Sequence, residues 1–148
     1  MKNTIEKICI SLLIILWVYT AGSKLLEFNS FKHQLFMQHF SFGIENILVY
    51  ALPITELFTA FLLCKKQTLS TGLTISIALL STFTIYIALI LTGLNTKAPC
   101  SCGGVLNFLN WKTHLIFNLT LVALNAWVIY HHRQKRKEAE KISNNEIQ

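Results

Sequence analysis

The sequence predicts an all-α membrane protein whose fold is a four-helix transmembrane bundle. Its 148 residues are 53% apolar and only 14% charged, whereas a soluble domain has about 25% charged residues. Four apolar runs each approach the roughly 20 helical residues that cross a hydrocarbon core of about 30 Å. These runs occupy well over half of the chain. We therefore expect one membrane domain, residues 1–130, followed by a tail, residues 131–148.

The four predicted spans follow from the apolar runs in chain order. They cover about residues 8–26, 44–64, 69–93 and 114–130. The first run comes after Lys2 and Lys7, a pattern that is also typical of a secretory signal, with a weak small-residue cleavage site at residues 21–23. The bulky Trp17 and Tyr19 just before that site favour a retained helix. Cleavage would leave the topology of the other three spans unchanged.

The distribution of basic residues predicts the orientation of the bundle. An even number of spans places both termini on one side, together with the 65–70 loop. That side has nine of the 13 basic residues and the other side has four. Because basic residues are enriched in cytoplasmic loops, we expect both termini in the cytoplasm of a bacterium. The 24–46 and 94–113 loops are then on the outer, periplasmic side of the inner membrane.

The net charge of +6 is therefore mainly a mark of orientation and indicates no nucleic-acid partner. The tail contains Glu138 and Glu140 among its basic residues, which is not typical of an arm that binds nucleic acid. The expected partner is the lipid bilayer, since anionic lipids attract basic segments next to a span.

The first outer loop contains the pattern of a short helix lying in the membrane interface. Asn29 and Ser30 are typical of a helix start, and Gly43 of a stop. Apolar side chains recur between them at near-helical spacing: Phe31, Leu35, Phe36 and Phe40. Such a helix places its apolar face at the boundary of the bilayer. An equally open interpretation is that it simply covers the outer end of the bundle.

The predicted topology separates the four cysteines into two pairs. Cys9 and Cys64 lie near the cytoplasmic ends of spans one and two, and Cys100 and Cys102 lie in the second outer loop. A bilayer separates the pairs, far more than the few ångströms that a disulfide permits. In a reducing compartment, Cys9 and Cys64 are expected to act as small apolar residues.

The Cys100–Cys102 pair is the first candidate site. Pro99 and the glycines at 103 and 104 favour a tight turn. A disulfide across one intervening residue removes little entropy from the unfolded chain. Stabilisation of the fold is therefore a poor explanation for the Cys100–Cys102 pair. Ring strain favours easy reduction and thus thiol exchange, and Lys97 favours the thiolate.

Three interpretations of this pair stay open. The first is a redox-active dithiol. The second is a metal site, because soft thiolates together with imidazoles suit copper or zinc and three histidines are on the same outer side: His33, His39 and His114. The third is a passive bridge or two unused thiols.

Glu56 is the second candidate, since it lies near the middle of span two. An ionisable residue at this depth is costly and indicates a functional site, although a protonated acid can also join two helices by hydrogen bonds. Lys24 is near the outer end of span one and must reach inward to serve as the counter-ion. Polar residues of spans three and four are further candidate neighbours: Thr84, Tyr86, Asn118 and Asn125.

Three local patterns occur in order within residues 8–130. Residues 21–25 read Ala-Gly-Ser-Lys-Leu, residues 52–57 read Leu-Pro-Ile-Thr-Glu-Leu, and residues 100–103 read Cys-Ser-Cys-Gly. The first two resemble signatures of the first and second helices of DoxX-like integral membrane proteins. The third resembles the Cys-x-Cys loop of their MauE branch, the methylamine utilisation membrane proteins, although a Phe-Gly expected after the second cysteine is replaced by Gly103-Gly104.

The resemblance implies a four-helix membrane protein in the redox maturation of exported proteins. The MauE branch is linked to disulfide formation in the small subunit of methylamine dehydrogenase, beside a thioredoxin-like partner. Carried over to this chain, Cys100 and Cys102 are the redox pair, and Lys24 and Glu56 are the charged signature.

Our hypothesis is a thiol-disulfide oxidoreductase that acts on an exported client protein. Other four-helix membrane proteins that generate disulfides suggest, by analogy, a quinone near Glu56 as the electron acceptor. Two other classes stay open: a non-enzymatic chaperone or complex subunit that docks through Phe31, Phe36 and Phe40, and a metal-handling protein.

Overall fold

The computed structural model describes residues 2–37, 43–92 and 111–146. These residues form five helices and no strand: α1 (Lys2–Leu26), α2 (Phe28–Phe36), α3 (Glu45–Cys64), α4 (Leu69–Leu91) and α5 (Trp111–Glu146). The all-α fold class is confirmed. α2 lies where the short outer helix was predicted, whereas its position in the membrane interface stays a prediction.

Four of the helices are long and apolar enough to cross a membrane. They contribute the segments Thr4–Leu26, Glu45–Cys64, Leu69–Leu91 and Lys112–Glu138. Large apolar side chains point outward from all four, among them Ile15, Phe58, Ile85 and Ile116. A surface of this kind is stable in contact with hydrocarbon. The protein is therefore a multi-pass membrane protein that contacts the lipid bilayer.

Four helices close into a ring in which neighbours are antiparallel. α1 packs against α3, α3 against α4, α4 against α5, and α5 against α1. Glu6 near the start of α1 contacts Lys135 near the end of α5, and Lys24 near the end of α1 contacts Glu56 of α3. One end of the bundle, here called the basic end, thus has the start of α1, the 65–68 turn and the last part of α5. The other, the α2 end, has α2, the end of α4 and the start of α5.

Threonine hydroxyls within the spans bond to the backbone of their own helix. Thr74 donates to the carbonyl of Ser70 at 2.9 Å, and Thr82 donates to Ala78 at 2.9 Å. Because lipid offers no hydrogen-bond partner, a polar side chain on the outer surface must be satisfied within the protein. These local bonds allow threonine to face the bilayer.

The apolar core is concentrated towards the basic end. Its buried side chains come from all four spanning helices: Leu13, Trp17, Ala60, Leu63, Leu69, Leu73, Leu80 and Val128. A smaller cluster at the α2 end joins Phe31 and Leu35 of α2 to Val49 of α3. α2 is therefore packed onto the bundle by its own apolar face.

A close helix contact lies at Gly72, where α4 passes the end of α3. A Cβ atom at Gly72 would lie 3.0 Å from the Leu62 Cβ and 3.0 Å from the backbone nitrogen of Leu63. One of these neighbours is backbone, so the α3–α4 hairpin would have to open slightly to admit a methyl group. Small residues permit such close approach between membrane helices.

We predict that Gly72→Ala lowers the stability of the purified protein by about 1–3 kcal/mol, the usual cost of overpacking. The thermal unfolding midpoint in detergent measures this. Gly22→Ala is the matched control, because no atom beyond the adjacent residues and backbone of its own helix lies within 4 Å of the added Cβ. Equal losses in the two variants would contradict the close contact.

Candidate functional site

A buried ion pair joins α1 to α3 in the half of the bundle towards the α2 end. The Nζ atom of Lys24 lies 2.9 Å from Oε1 of Glu56. Lys24 is 4% exposed and Glu56 is 0% exposed. The ammonium group also donates to the backbone carbonyl of Thr20 at 3.3 Å. The structure thus brings together the two charged residues that the sequence singled out within the spans.

The direction of helical side chains explains how Lys24 reaches Glu56. Side chains of an α-helix lean towards its N-terminus. α1 starts at the basic end, so Lys24 leans towards the middle of the bundle. α3 starts at the α2 end, so Glu56 leans in the opposite direction. Because the two helices are antiparallel, the side chains approach each other although their backbone positions differ in depth.

α2 covers this ion pair. The Nζ atom of Lys24 lies 5.9 Å from the centroid of the Phe31 ring, a distance typical of a cation–π contact. Phe31 is itself buried, whereas Phe36 is 37% exposed. Of the three phenylalanines proposed as docking residues, Phe31 therefore contributes to the interior, and Phe40 lies outside the described residues.

The second carboxylate oxygen of Glu56, Oε2, differs from Oε1 in its hydrogen bonding. Thr20 gives its hydroxyl hydrogen to the carbonyl of Trp17 at 3.2 Å, and Thr59 gives its own to the carbonyl of Thr55 at 2.7 Å. Within the described ranges, Oε2 of Glu56 is buried and has no hydrogen-bond partner. This oxygen therefore has unused capacity to accept a hydrogen bond.

A second polar cluster, which the sequence did not predict, joins three helices at the middle of the bundle. Oγ of Ser76 in α4 accepts hydrogen bonds from Nε1 of Trp17 at 2.9 Å and from Nδ2 of Asn125 at 2.8 Å. Asn125 therefore bonds to Ser76 and not to Glu56. Thr84 likewise bonds to the carbonyl of Leu80 in its own helix at 2.6 Å.

A third cluster, also not predicted, lies at the basic end. The buried carboxylate of Glu6 contacts Lys135 and lies 3.5 Å from Nδ1 of His132. A count of helical turns in the sequence could have predicted both clusters. Trp17 comes roughly three turns after Glu6 on α1, and Asn125 comes roughly three turns before Lys135 on α5. Since α1 and α5 are antiparallel, these equal spacings place Trp17 level with Asn125 when Glu6 is level with Lys135.

The proposed redox and metal residues are only in part within the described chain. Cys100, Cys102 and His39 lie outside the described residues. His33 is exposed on α2, and His114 is buried in α5. No group of three potential metal ligands occurs in the described part of the chain. Cys9 and Cys64 are free thiols.

Comparison with known proteins assigns the chain to a family. A family model described as methylamine utilisation protein MauE matches residues 2–131. This chain belongs to the MauE family. The match covers the first three spans, most of the fourth, the ion pair and the segment that contains Cys100 and Cys102. No match was found among curated proteins or solved structures. The chain is thus a MauE-like membrane protein, associated through its family with methylamine utilisation.

We predict strong coupling between Lys24 and Glu56. Lys24→Met and Glu56→Gln should each destabilise the protein by about 3–5 kcal/mol, because each leaves a buried polar or charged partner uncompensated. The double variant should recover most of this loss. Unfolding of all four proteins in detergent completes the double-mutant cycle.

Lys32→Met is the matched control. Its Nζ lies 5.7 Å from the Phe36 ring, a contact like that of Lys24 but on an exposed residue, so stability should not change. Additive losses in the double variant would show that the pair is not coupled. A stable double variant without biological activity would assign the pair a role in function.

Proposed function

We propose that this MauE-family protein exchanges thiols and disulfides with exported proteins through Cys100 and Cys102. The observation that carries the proposal is the topology of the bundle. α4 ends at Leu91 and α5 begins at Trp111, both at the α2 end, so the chain between them starts and finishes opposite the basic end. By the positive-inside rule, the α2 end faces the periplasm, where disulfides persist.

The reaction transfers two electrons from client to membrane protein. A thiolate of the client attacks the Cys100–Cys102 disulfide and forms a mixed disulfide. A second client thiolate then attacks the client sulfur of that bond, which leaves the client with a disulfide and this chain with two thiols. A thioredoxin-like protein or its substrate is the client class that the family resemblance supports.

Reoxidation of the two thiols requires an acceptor of two electrons and two protons. A lipid-soluble quinone is the acceptor class that we propose, since the site lies in a membrane bundle. Two features near the α2 end suit its polar ring: the Lys24 ammonium group is a hydrogen-bond donor, and Oε2 of Glu56 has no partner within the described ranges.

We predict that Cys100→Ser or Cys102→Ser traps a client as a covalent adduct. In each variant the remaining thiolate can still attack the disulfide of an oxidised client, which is the reverse of the proposed step, and forms a mixed disulfide. This chain then has no second sulfur to displace the client, so the mixed disulfide persists. Non-reducing electrophoresis of membranes from cells should show adducts that disappear after reduction. The double variant should form none.

Cys64→Ser is the control, because Cys64 is an exposed free thiol at the basic end. This variant should keep activity and form no adduct. If neither single variant at 100 or 102 captures a protein and both retain full activity, the exchange proposal is wrong. An impermeant maleimide adds a test of topology, since it should label the outer pair in intact cells only after reduction and label Cys64 only after lysis.

A further inference from the structure

The last helix extends well beyond its apolar run, which ends near Tyr130. α5 continues from Tyr130 to Glu146, roughly 24 Å at the helical rise of 1.5 Å per residue. The segment from residue 131 to 141 has five basic and two acidic residues, a surplus of three positive charges. A rigid, basic helix therefore begins where the apolar span ends.

Contacts with α1 fix which face of this extension points away from the bundle. His132 and Lys135 face Glu6 of α1. Arg133, Lys137 and Lys141 follow one another at intervals of four residues, so they share one face. All three are exposed. This face, here called the basic stripe, lies on the opposite side of α5 from the residues that contact Glu6.

Two exposed aromatic residues indicate the depth of the basic stripe relative to the bilayer. Trp127 and Tyr130 are exposed on the same side of α5 as the stripe. The ring of Trp127 lies 4.5 Å from that of His131, and the hydroxyl of Tyr130 accepts a hydrogen bond from Gln134 at 2.7 Å. Tryptophan and tyrosine concentrate at the boundary between hydrocarbon and headgroups. The stripe begins at the next residues along the helix, at headgroup level.

A second helix shows the same arrangement at the basic end. At the end of α3, Phe61 is exposed and the Nζ atom of Lys65 lies 4.3 Å from its ring centroid. Lys66 is exposed next to it. Two separate helices thus present an aromatic residue towards hydrocarbon and a cation immediately beyond it.

We propose that the basic stripe, Arg133, Lys137 and Lys141, binds the phosphate headgroups of anionic phospholipids in the leaflet at the basic end. Arg133 lies roughly 5 Å and Lys137 roughly 10 Å beyond Tyr130 along the helix axis, which matches the headgroup layer. Lys141 lies within about one Debye length of that layer. The bilayer that surrounds the bundle supplies this ligand, so no other partner is required. The proposal is independent of the redox function.

Brominated lipids test the proposal through the fluorescence of Trp127. The full-length protein with Trp111→Phe is reconstituted into vesicles of phosphatidylcholine and phosphatidylglycerol, with bromine on the acyl chains of one lipid at a time. Trp17 is buried and provides a constant background. Quenching should indicate that phosphatidylglycerol is enriched about threefold around Trp127 at low salt, and the enrichment should decline as salt screens the charges.

Variants at both ends of the bundle make the test specific. Arg133→Gln, Lys137→Gln and Lys141→Gln together should abolish the enrichment, and each single change should reduce it in part if the triple variant fails to reconstitute. The double change Lys32→Gln and Lys112→Gln removes two exposed lysines from the α2 end. It should leave the enrichment of phosphatidylglycerol around Trp127 unchanged. If both lipids quench Trp127 equally in the protein that retains the basic stripe, the proposal is wrong. This result is expected if the stripe binds an acidic protein instead. Enrichment that survives the triple change would also overturn the proposal.

Discussion

The absence of water from the hydrocarbon core is the constraint on which this structure depends. Each backbone polar group must be satisfied within a helix, and each buried polar side chain must find a partner on the same or a neighbouring helix. Three clusters meet this requirement, and α1 takes part in all of them. Lys24 of α1 binds Glu56 of α3, Trp17 binds Ser76 of α4, and Glu6 binds α5. α1 is thus held at three depths against the other three spanning helices.

This arrangement divides the bundle into two unlike halves. Towards the basic end the buried side chains are mainly apolar, and Gly72 permits a close approach of α4 to α3. Towards the α2 end it contains an ion pair under the ring of Phe31. A buried ion pair contributes little to stability compared with apolar packing of similar volume. Its presence in the half next to α2 is therefore more easily understood if Lys24 and Glu56 serve the function of the protein.

Membership of the MauE family and the geometry of the bundle support one account of that function. The family match covers both the ion pair and the segment that contains Cys100 and Cys102. In the proposed reaction the cysteines exchange electrons with a client outside the membrane. The ion pair lies in the adjoining half of the bundle, where electrons would pass to a lipid-soluble acceptor. The long basic end of α5 has a different role, in contact with lipid headgroups.

Hydrophobic length and the spacing of apolar residues were sufficient to predict four spans and a short helix between the first two, because these properties depend on local composition alone. The orientation of the bundle and the separation of the cysteines stay predictions. The sequence also marked Glu56 as costly at its depth. Only the tertiary structure decided which groups pair, since pairing depends on helix rotation and on which helices are neighbours. Lys24 reaches Glu56 because the side chains of the antiparallel helices α1 and α3 lean towards each other. Asn125 donates a hydrogen bond to Ser76 because α5 packs against α4. Depth along a helix can be counted from a sequence, whereas the direction in which a side chain points becomes defined only when the helices pack.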